Sequence, residues 1–372
     1  MKRAGREYTI RENAMREHKF IIVDGSSMLS TCYYAVLPRE LMFAKTEEER
    51  EKHYDKILHA SDGTYTNAVF AMLKAVVSLM KRQRPEYIAF VFDKTRDTFR
   101  RQMYAAYKGN RSATPKPLRE QFVLMERILE ETGFQVLCSD QFEADDYAGS
   151  LVHKFRGQVP MVVMTKDHDY LQLVDDGHNV RAWMVQSRQE KADELFNTYG
   201  TFWGLGREEA GLPEKTFEFT EELVYAEEGV WPRQIPDLKG IQGDSSDNIP
   251  GVRGVSSAAP LLLGEYGTVE GIYEAIHAAG EDKKAVKALQ DFWKNALGIS
   301  RSPYKALTRK GEEGELSGEE SARLSKELAK IRTDVEIPQA LSDFSAERWD
   351  EEKTKEWCRR LDIRVESVFL KA

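Results

Sequence analysis

The stretch from Gln141 to Val174, QFEADDYAGSLVHKFRGQVPMVVMTKDHDYLQLV, decides the predicted fold. Two acidic clusters, Glu143-Ala-Asp-Asp146 and Asp167-His-Asp169, flank an apolar run at residues 160–165 that is typical of a buried strand. The first cluster begins a segment with helical periodicity, and the second follows the strand directly. Ligands of open α/β sheets bind beyond the carboxyl ends of the strands, so the sequence predicts one crevice that holds both clusters.

Carboxylates crowded in this way need a compensating charge. Two of them at about 4 Å repel by roughly 4 kcal/mol at an effective dielectric near 20, whereas a helix N-terminus returns only about 0.3–1 kcal/mol per charge. The donors are all carboxylate oxygens, which suits Mg²⁺ or Mn²⁺. The alternative is a solvated loop whose acids merely cap a helix. Two clusters joined by a buried strand favour the cation site.

Two earlier segments repeat the pattern of an apolar strand that leads to an acid. They are KFIIVD, which ends at Asp24, and YIAFVFD, which ends at Asp93. Amphipathic helical patterns at residues 28–37 and 64–82 separate the strands. Alternating strands and helices predict an α/β fold with a mainly parallel sheet flanked by helices. In such a sheet Asp24, Asp93 and Asp167 lie at one edge.

Composition sets broader limits. The chain has 372 residues, of which 41% are hydrophobic and 31% charged, so we expect a globular protein of two or more domains. No apolar run has transmembrane length, and the charged tail at residues 1–18 lacks the apolar core of a secretory signal. Three scattered cysteines suit neither a disulfide framework nor a zinc site. These features predict a cytoplasmic protein without a membrane partner.

A basic and aromatic run lies at residues 94–119, although the net charge of the chain is −8. Phe99, Tyr104 and Tyr107 are interleaved with basic residues. Basic side chains follow phosphates and aromatic faces stack on bases, so the run is a candidate nucleic-acid contact; the alternative is a solvated basic helix. Its cationic residues are Lys94, Arg96, Arg100, Arg101, Lys108, Arg111, Lys116 and Arg119.

The later part of the chain offers a second candidate site, GDSSDNIPGVRGV at residues 243–255. A Pro-Gly-Val-Arg-Gly hairpin close to helix N-termini has backbone N–H groups suited to a phosphate, although Asp and Gly also favour ordinary turns. The charge-rich segment 40–59 is predicted as an exposed insertion, 187–217 as an insertion or a loop with short helices, and 308–330 as an exposed helical pair.

Six motifs, in this order, resemble the 5′-3′ exonuclease and flap endonuclease family, and especially the nuclease domain at the N-terminus of bacterial DNA polymerase I. The resemblance covers about residues 19–340. The chain is similar to the stand-alone form of the nuclease found in phages and some bacteria. The motifs are VDGSS at 23–27, VFD at 91–93, YKGNR at 107–111, EADD at 143–146, TKDHD at 165–169 and GDSSDNIPG at 243–251.

The resemblance implies a PIN-like (resolvase-like) catalytic domain at residues 19–218, a helix-hairpin-helix DNA-binding domain at 219–340 and a C-terminal helical segment at 341–372. It implies two Mg²⁺ or Mn²⁺ ions, and a K⁺ ion at the hairpin. The metal ligands carried over are Asp24, Asp93, Glu143, Asp145, Asp146, Asp167, Asp169 and Asp244, with Asp247 close by.

The same resemblance implies roles for the basic residues. Lys108 and Arg111 correspond to the basic pair that contacts the scissile phosphate, with Tyr107 and Arg100 as their catalytic neighbours. The residues expected to bind DNA are Lys94, Arg96, Arg101, Gly251, Arg253 and Gly254.

The chain departs from the family in three places. Lys166 and His168 stand where the family usually has Gly and Lys, and the spacing from Asp169 to Asp244 is longer. After Gly254 the chain reads VSSAAP where the family usually has VGEKTA, so the hairpin glycine and the Lys-Thr pair are missing. The last departure counts against a K⁺ ion and predicts a weak grip on duplex DNA.

These observations predict a divalent-metal-dependent, structure-specific 5′ nuclease. Its substrates would be the 5′ ends, flaps, nicks or RNA primers of duplex DNA during replication or repair, and it would act as a monomer beside a separate DNA polymerase in the bacterial nucleoid or the phage-infected cytoplasm. The alternatives are a PIN-type ribonuclease for single-stranded RNA and an inert adaptor that binds branched DNA.

Overall fold

A twisted sheet of six strands forms the centre of the computed structural model, which describes residues 18–203, 211–312 and 314–370. The predicted N-terminal tail at 1–17 and part of the predicted insertion, at 204–210, lie outside the described residues. The strands are β1 (Phe20–Asp24), β2 (Tyr87–Val91), β3 (Gln135–Leu137), β4 (Met161–Thr165), β5 (Val180–Val185) and β6 (Thr216–Phe219).

The order of the strands across the sheet is β3-β2-β1-β4-β5-β6. The first five strands are parallel, and β6 pairs with β5 in the antiparallel direction. The prediction of a mainly parallel sheet is therefore confirmed. β1 lies between β2 and β4, so the three strands that lead to Asp24, Asp93 and Asp167 are adjacent and point the same way.

Both faces of the sheet are covered because alternate residues of each strand point to opposite sides. Ile21 and Val23 join one apolar cluster, while Phe20 and Ile22 join another. On the first face lie α1 (Gly25–Ala35), α4 (Asn67–Gln83) and α6 (Lys116–Glu131), and on the second lies α7 (Ala144–Phe155). Shorter elements connect them, namely α2 (Arg39–Phe43), α3 (Glu47–Glu51) and α5 (Phe99–Met103).

Helices dominate the region that follows the sheet. A third apolar cluster joins them to residues of β5 and β6, so the helical region is packed against this edge of the sheet. The helices are α8 (Gln189–Trp203), α9 (Glu221–Glu228), α10 (Ile235–Gln242), α11 (Ala259–Tyr266), α12 (Val269–Ala279), α13 (Lys283–Asn295), α14 (Tyr304–Leu307) and α15 (Gly318–Ala329).

Three segments differ from their prediction. The segment 40–59 is not simply exposed, because Leu41, Tyr54 and Ile57 are buried in the first cluster. Residues 189–203 form one long helix, and the chain returns to the sheet as β6. The charged segment 308–330 holds one long helix, α15, whose buried face carries small residues that the periodicity of large apolar residues did not reveal.

The last part of the chain packs back on the sheet domain. It contains α16 (Glu351–Arg360) and α17 (Val365–Phe369), and Trp357 and Val368 belong to the same apolar cluster as α4 and α6. Gly133 allows the close approach, since a Cβ there would lie 2.0 Å from the carbonyl oxygen of Arg348. None of the described helices combines the length and apolarity needed to cross a membrane.

Candidate metal and nucleic-acid site

Asp24, Asp93 and Asp167 lie at the carboxyl edge of the sheet, as the sequence predicts. Asp24 is the last residue of β1, and Asp93 and Asp167 each follow their strand by two residues. One oxygen of Asp93 accepts a hydrogen bond of 2.9 Å from the N–H of Ala144, which is the first residue of α7. The edge of the sheet and the N-terminus of α7 therefore form one site.

Asp24 is the most deeply buried of these three side chains. Its two oxygens accept hydrogen bonds from the N–H of Ser27 at 2.9 Å and from the hydroxyl of Thr165 at 2.7 Å. Burial, with a smaller contribution from the charges of Asp93 and Asp167, raises the pKa of Asp24 to about 7 despite these hydrogen bonds. Asp24 therefore caps α1, and each of its oxygens keeps one lone pair for a further partner.

Tyr170 lies among the carboxylates. Its side chain is 2% exposed, and its pKa is raised well above the usual range by burial and then by the charges of Asp24, Asp145, Asp93 and Asp167. The charges of four carboxylates, from the ends of β1, β2 and β4 and from α7, thus act on one buried ring. This arrangement brings together the acids of both predicted clusters.

Asp145 has an oxygen in need of a partner. Its Oδ1 atom is buried and accepts no hydrogen bond, and Arg100 approaches that atom only to 3.6 Å. Burial raises the pKa of Asp145 well above its usual range. An orphaned carboxylate oxygen among other carboxylates is the type of donor that a hard divalent cation takes up.

The residues fit such a cation by chemical type, but lysines and arginines now contact many of them. Among the described residues, no group of three or more His, Cys, Asp or Glu side chains is arranged to hold a metal ion. Lys239 contacts Asp169 and lies 2.6 Å from Oδ2 of Asp244. Burial opposes the ionisation of Asp244, yet hydrogen bonds from Lys239 and Ser246 hold its pKa at about 2.

Glu143 is held by three donors of the basic run. Thr98 donates a hydrogen bond of 2.7 Å to Oε1, and the hydroxyl of Tyr107 and the ammonium of Lys108 contact Oε2. Burial disfavours the charge, but Lys108 and Arg100 outweigh it and lower the pKa of Glu143 to about 2. Tyr107 is buried, so its ring stacks on no base in this conformation.

Arg100 and Asp146, predicted as a catalytic neighbour and a metal ligand, contact each other in this structure. The guanidinium of Arg100, which is 1% exposed, donates to both oxygens of Asp146. The N–H groups of Glu143 and Arg332 occupy the remaining lone pairs of Asp146. Arg100 is out of reach of a phosphate in this conformation, and Asp146 has no lone pair left for a metal.

The rest of the basic run is docked on the GDSSDNIPG loop. The guanidinium of Arg111 contacts Asp247, and the backbone N–H of Lys108 donates to the carbonyl of Asp247 at 2.8 Å. Asn110 donates to the carbonyl of Ser245, and Asn248 donates back to the carbonyl of Ala106. Lys108 adopts a φ of +52°, which is costly for a side chain larger than glycine and persists where surrounding contacts enforce it.

The residues predicted to bind DNA have different environments. Arg96 donates to the carbonyls of Arg111 and Ser112, so it shapes the basic run itself. Lys94, Arg101, Arg253 and Gly254 are exposed. Gly251 is buried, and its N–H group, expected to be free for a phosphate, donates instead to the hydroxyl of Ser325 at 2.9 Å.

The altered hairpin sequence has a packing consequence. Ala258 and Ala259, which stand where the family has Lys and Thr, are 4% and 0% exposed and belong to the apolar cluster of the helical region. Ser256 and Ser257 remain exposed. The departure therefore extends the core beneath the hairpin as well as removing a cation and a hydroxyl.

Sequence reasoning missed two residues of the site. Lys239 lies on α10, five residues before Asp244, and nothing in the local sequence distinguishes it from a solvated lysine. Gln172 donates to the carbonyl of Asp169 at 2.9 Å and to that of Ala329 at 3.1 Å. A polar residue inside the apolar run YLQLV was the only available signal.

Comparison with known proteins bears on this site. Residues 19–200 match the family described as 5′-3′ exonuclease, N-terminal resolvase-like domain, and residues 230–352 match the 5′-3′ exonuclease, C-terminal SAM fold. The chain belongs to the 5′-3′ exonuclease family. It is 28% identical to a 5′-3′ exonuclease of Aquifex aeolicus, over 94% of this chain and 96% of that protein.

Other relatives are longer. The chain is 29% identical to DNA polymerase I of Caldicellulosiruptor bescii and 31% identical to that of Streptococcus pneumoniae, over 93% and 89% of this chain. The matches cover 33% and 30% of those polymerases, so the chain spans about a third of their length.

Two solved structures share the fold. The T5 D15 protein co-crystallized with metal ions has a TM-score of 0.51 and 20% identity, over 92% of this chain and 98% of that chain. The catalytic core of Rad2 in complex with DNA substrate has a TM-score of 0.50 and 13% identity, over 97% and 93%. They confirm the predicted α/β domain with an attached helical region.

Proposed function

We propose that this exonuclease-family chain is a divalent-metal-dependent, structure-specific 5′ nuclease that hydrolyses phosphodiester bonds of DNA. One observation carries the proposal: a docked basic run places Lys108 on Glu143 and Arg111 on Asp247. Glu143 directly precedes α7, whose first N–H group is bonded to Asp93 at the carboxylate edge of the sheet. Acids suited to a cation and cations suited to a phosphate meet at one site, which is what phosphodiester hydrolysis requires.

The carboxylates separate into two groups that would hold the cations. Asp24, Asp93 and Asp167 make no ion pair among the described residues, and their charges, with that of Asp145, help to raise the pKa of the buried Tyr170. Glu143, Asp169, Asp244 and Asp247 now contact Lys108, Lys239 or Arg111. Bound Mg²⁺ or Mn²⁺ would activate the attacking water and stabilise the leaving 3′ oxygen.

Lys108 and Arg111 supply the positive charge that the chain itself brings to the reaction. Their present partners, Glu143 and Asp247, are carboxylates, and a phosphate is an equivalent anionic partner. When the scissile phosphate enters, the two cations exchange a carboxylate for it. Charge that develops on the phosphate in the transition state is then neutralised without further reorganisation.

The proposed substrates are DNA 5′ ends, flaps, nicks and RNA primers on duplex DNA. Support comes from relatives that are DNA polymerase I and from a structural relative, Rad2, that is bound to DNA substrate. Exposed Arg253 and Gly254 at the hairpin offer a contact for a duplex. We propose that the chain works together with a DNA polymerase, since the matching region of its relatives is part of a polymerase chain.

The test is cleavage of a 5′-labelled flap DNA with Mg²⁺, with product lengths read on a gel. Wild type is expected to release 5′ fragments, and Asp145→Asn or Asp167→Asn to abolish release while retaining DNA binding. Asp140→Asn, at an exposed acid five residues before Asp145, is the matched control. Cleavage of single-stranded RNA but not of the flap would favour a ribonuclease. Tight binding of the flap without any cleavage would favour an inert adaptor.

A further inference from the structure

Helix α15 holds the hairpin at one end and the carboxylate site at the other. At the hairpin, the hydroxyl of Ser325 accepts from the N–H of Gly251 at 2.9 Å, and the hydroxyl of Ser321 donates to the carbonyl of Gly251 at 2.6 Å. Both serines are buried, at 0% and 6% exposure. The two backbone groups of this one glycine are therefore fixed to one face of α15.

Gly251 itself transmits position rather than absorbing motion. It has a φ of +58°, and a Cβ there would lie 2.2 Å from the backbone nitrogen of Gly243. The two sides of the loop are thus in contact at this point, and Val252 donates to the carbonyl of Ile241 at 2.7 Å. The exposed hairpin tip at Arg253 and Gly254 therefore begins two residues after a glycine that is bonded to α15.

The other end of α15 is bonded to residues of the carboxylate site. The carbonyls of Leu328 and Lys330 each accept from Arg100 at 2.9 Å, and Arg100 also holds Asp146. The carbonyl of Ala329 accepts from Gln172 at 3.1 Å. The end of the helix therefore reaches both α7 and the loop that carries Asp167 and Asp169.

Both the nitrogen and the oxygen of the Gln172 amide bond the segment at the end of α15, and the nitrogen also bonds that acidic loop. Its nitrogen donates to the carbonyls of Asp169 and Ala329, and its oxygen accepts from the N–H of Ile331 at 2.9 Å. The next N–H, that of Arg332, donates to Asp146 at 2.9 Å. The first acidic cluster is therefore bonded directly to the segment that follows α15, and the second is connected to it through Gln172.

Side contacts keep α15 from moving independently. Lys326 contacts Asp237 of α10 at 2.7 Å, and α15 packs along α10, the helix that precedes the GDSSDNIPG loop. A small apolar cluster joins Tyr107 of the basic run to Ile249 of the loop and to Leu328 and Ala329 of α15. The basic run, the loop and the helix form one packed unit.

We propose that α15 couples duplex binding at the hairpin to the position of the acidic loop 167–169, with Ser325 and Gln172 as positioning residues. The inference rests on the proposed function and deepens it: the substrate class is DNA in which a duplex lies beside the cut strand. A duplex seated on the hairpin fixes Gly251, α15 and, through Gln172, the backbone of Asp169. A single strand that does not reach the hairpin gains nothing from this contact.

The experiment compares Ser325→Ala and Gln172→Met with wild type on two 5′-labelled DNAs, a flap with an adjoining duplex and the same strand alone. We expect kcat on the flap to fall at least fivefold in both variants, with KM nearly unchanged. Cleavage of the single strand should be unchanged in Ser325→Ala and should fall less than cleavage of the flap in Gln172→Met. Gln172→Glu keeps the acceptor for Ile331 but loses both donated hydrogen bonds, so it should lose at least as much flap cleavage as Gln172→Met.

Ser317→Ala is the matched control, because Ser317 caps the same helix and contacts neither the hairpin nor the acidic loop. An equal loss in Ser317→Ala and Ser325→Ala, or an equal loss on both DNAs, would overturn the coupling and leave only a role in stability. Loss through KM alone would likewise overturn it.

A second measurement is independent of cleavage. Hydrogen exchange at residues 167–173 is followed without metal, with and without a blunt DNA duplex. Duplex binding should slow exchange there in wild type and in Ser317→Ala but not in Ser325→Ala; the same protection in all three would contradict the proposal. A wild type that shows the protection yet cleaves neither DNA would contradict the proposed function and leave the coupling intact.

Discussion

Arg100 and Asp146 form a buried ion pair in which the guanidinium meets both carboxylate oxygens, at 2.8 and 2.7 Å. The pair connects the basic run to the N-terminus of α7, and Arg100 also donates to the end of α15. Three parts of the chain that lie far apart in sequence therefore meet at one guanidinium. The pair accounts for how the site is assembled, whereas Lys108 and Arg111 remain the candidates for contact with the substrate.

Arg100→Met should lower the free energy of unfolding by about 3–5 kcal/mol, because it leaves Asp146 charged and buried without its partner. Arg100→Lys should recover only part, since an ammonium cannot bond both oxygens and two carbonyls in the same geometry. Urea unfolding measures the loss, and Arg101→Met, at an exposed neighbour, is the control. A loss below about 1 kcal/mol would mean that the pair does not hold the site together.

Lys108→Ala and Arg111→Ala should each slow single-turnover cleavage of flap DNA by roughly 10²–10³-fold, the usual loss for one donor to a transition-state charge. DNA affinity should change far less, because the cations act on charge that develops during the reaction. Arg119→Ala, at an exposed cation of the same run that is not among the residues predicted to bind DNA, serves as the control. Weaker binding with an unchanged saturated rate would reduce both residues to general phosphate contacts.

Asp24 should make the stability of the metal-free protein depend on pH. Its pKa is about 7 in the folded protein, because burial disfavours the charge, whereas an aspartate in the unfolded chain has its ordinary pKa of 3.8. Between these values the folded state binds the additional proton, so this contribution to stability is lost as the pH rises through that window. Urea unfolding in EDTA from pH 4.5 to 8 should show a stability difference between Asp24→Asn and wild type that grows in favour of the variant. A difference that stays constant with pH would contradict the raised pKa.

Lys239→Met should destabilise the metal-free protein and strengthen its response to Mg²⁺. The ammonium contacts Asp169 and Asp244, and without it two carboxylates repel until a cation enters. The rise of Tm with Mg²⁺ should therefore begin at a lower concentration in the variant. Lys326→Met removes a lysine that contacts Asp237 and Glu270, outside the carboxylate site, and should lower Tm without changing the Mg²⁺ response. A response equal to that of wild type would exclude competition between Lys239 and the metal.

Arg253→Ala should flatten the salt dependence of flap-DNA binding. One phosphate contact contributes a slope of about −0.9 to log affinity against log salt on duplex DNA, and Arg253 is exposed at the tip of the hairpin. Ser257→Lys, at an exposed position beside it, should steepen the slope by a similar amount. Ala258→Lys, which would restore the family's lysine, is not a suitable test because Ala258 is buried and a lysine there would disrupt the core. An unchanged slope in Arg253→Ala would place the duplex contact elsewhere.

The sequence by itself determined the sheet and its acidic edge. The runs before Asp24, Asp93 and Asp167 are apolar on both faces, and the helices between them force parallel pairing, so their carboxyl ends share one edge. The ordered motifs also identified the family. Both results depend on local periodicity and on short motifs, which are visible in a single sequence.

Only the tertiary structure decided which charged residues are partners and which remain available. Arg100 and Arg101 are neighbours of the same type, yet one is buried against Asp146 and the other is exposed. The N–H group of Gly251, expected to be free, donates to Ser325, and Lys239 of α10 contacts Asp169 in the acidic site. These outcomes depend on contacts between residues up to 230 positions apart in the chain, where burial and hydrogen bonding fix the role of a side chain. Local sequence carries no record of such contacts.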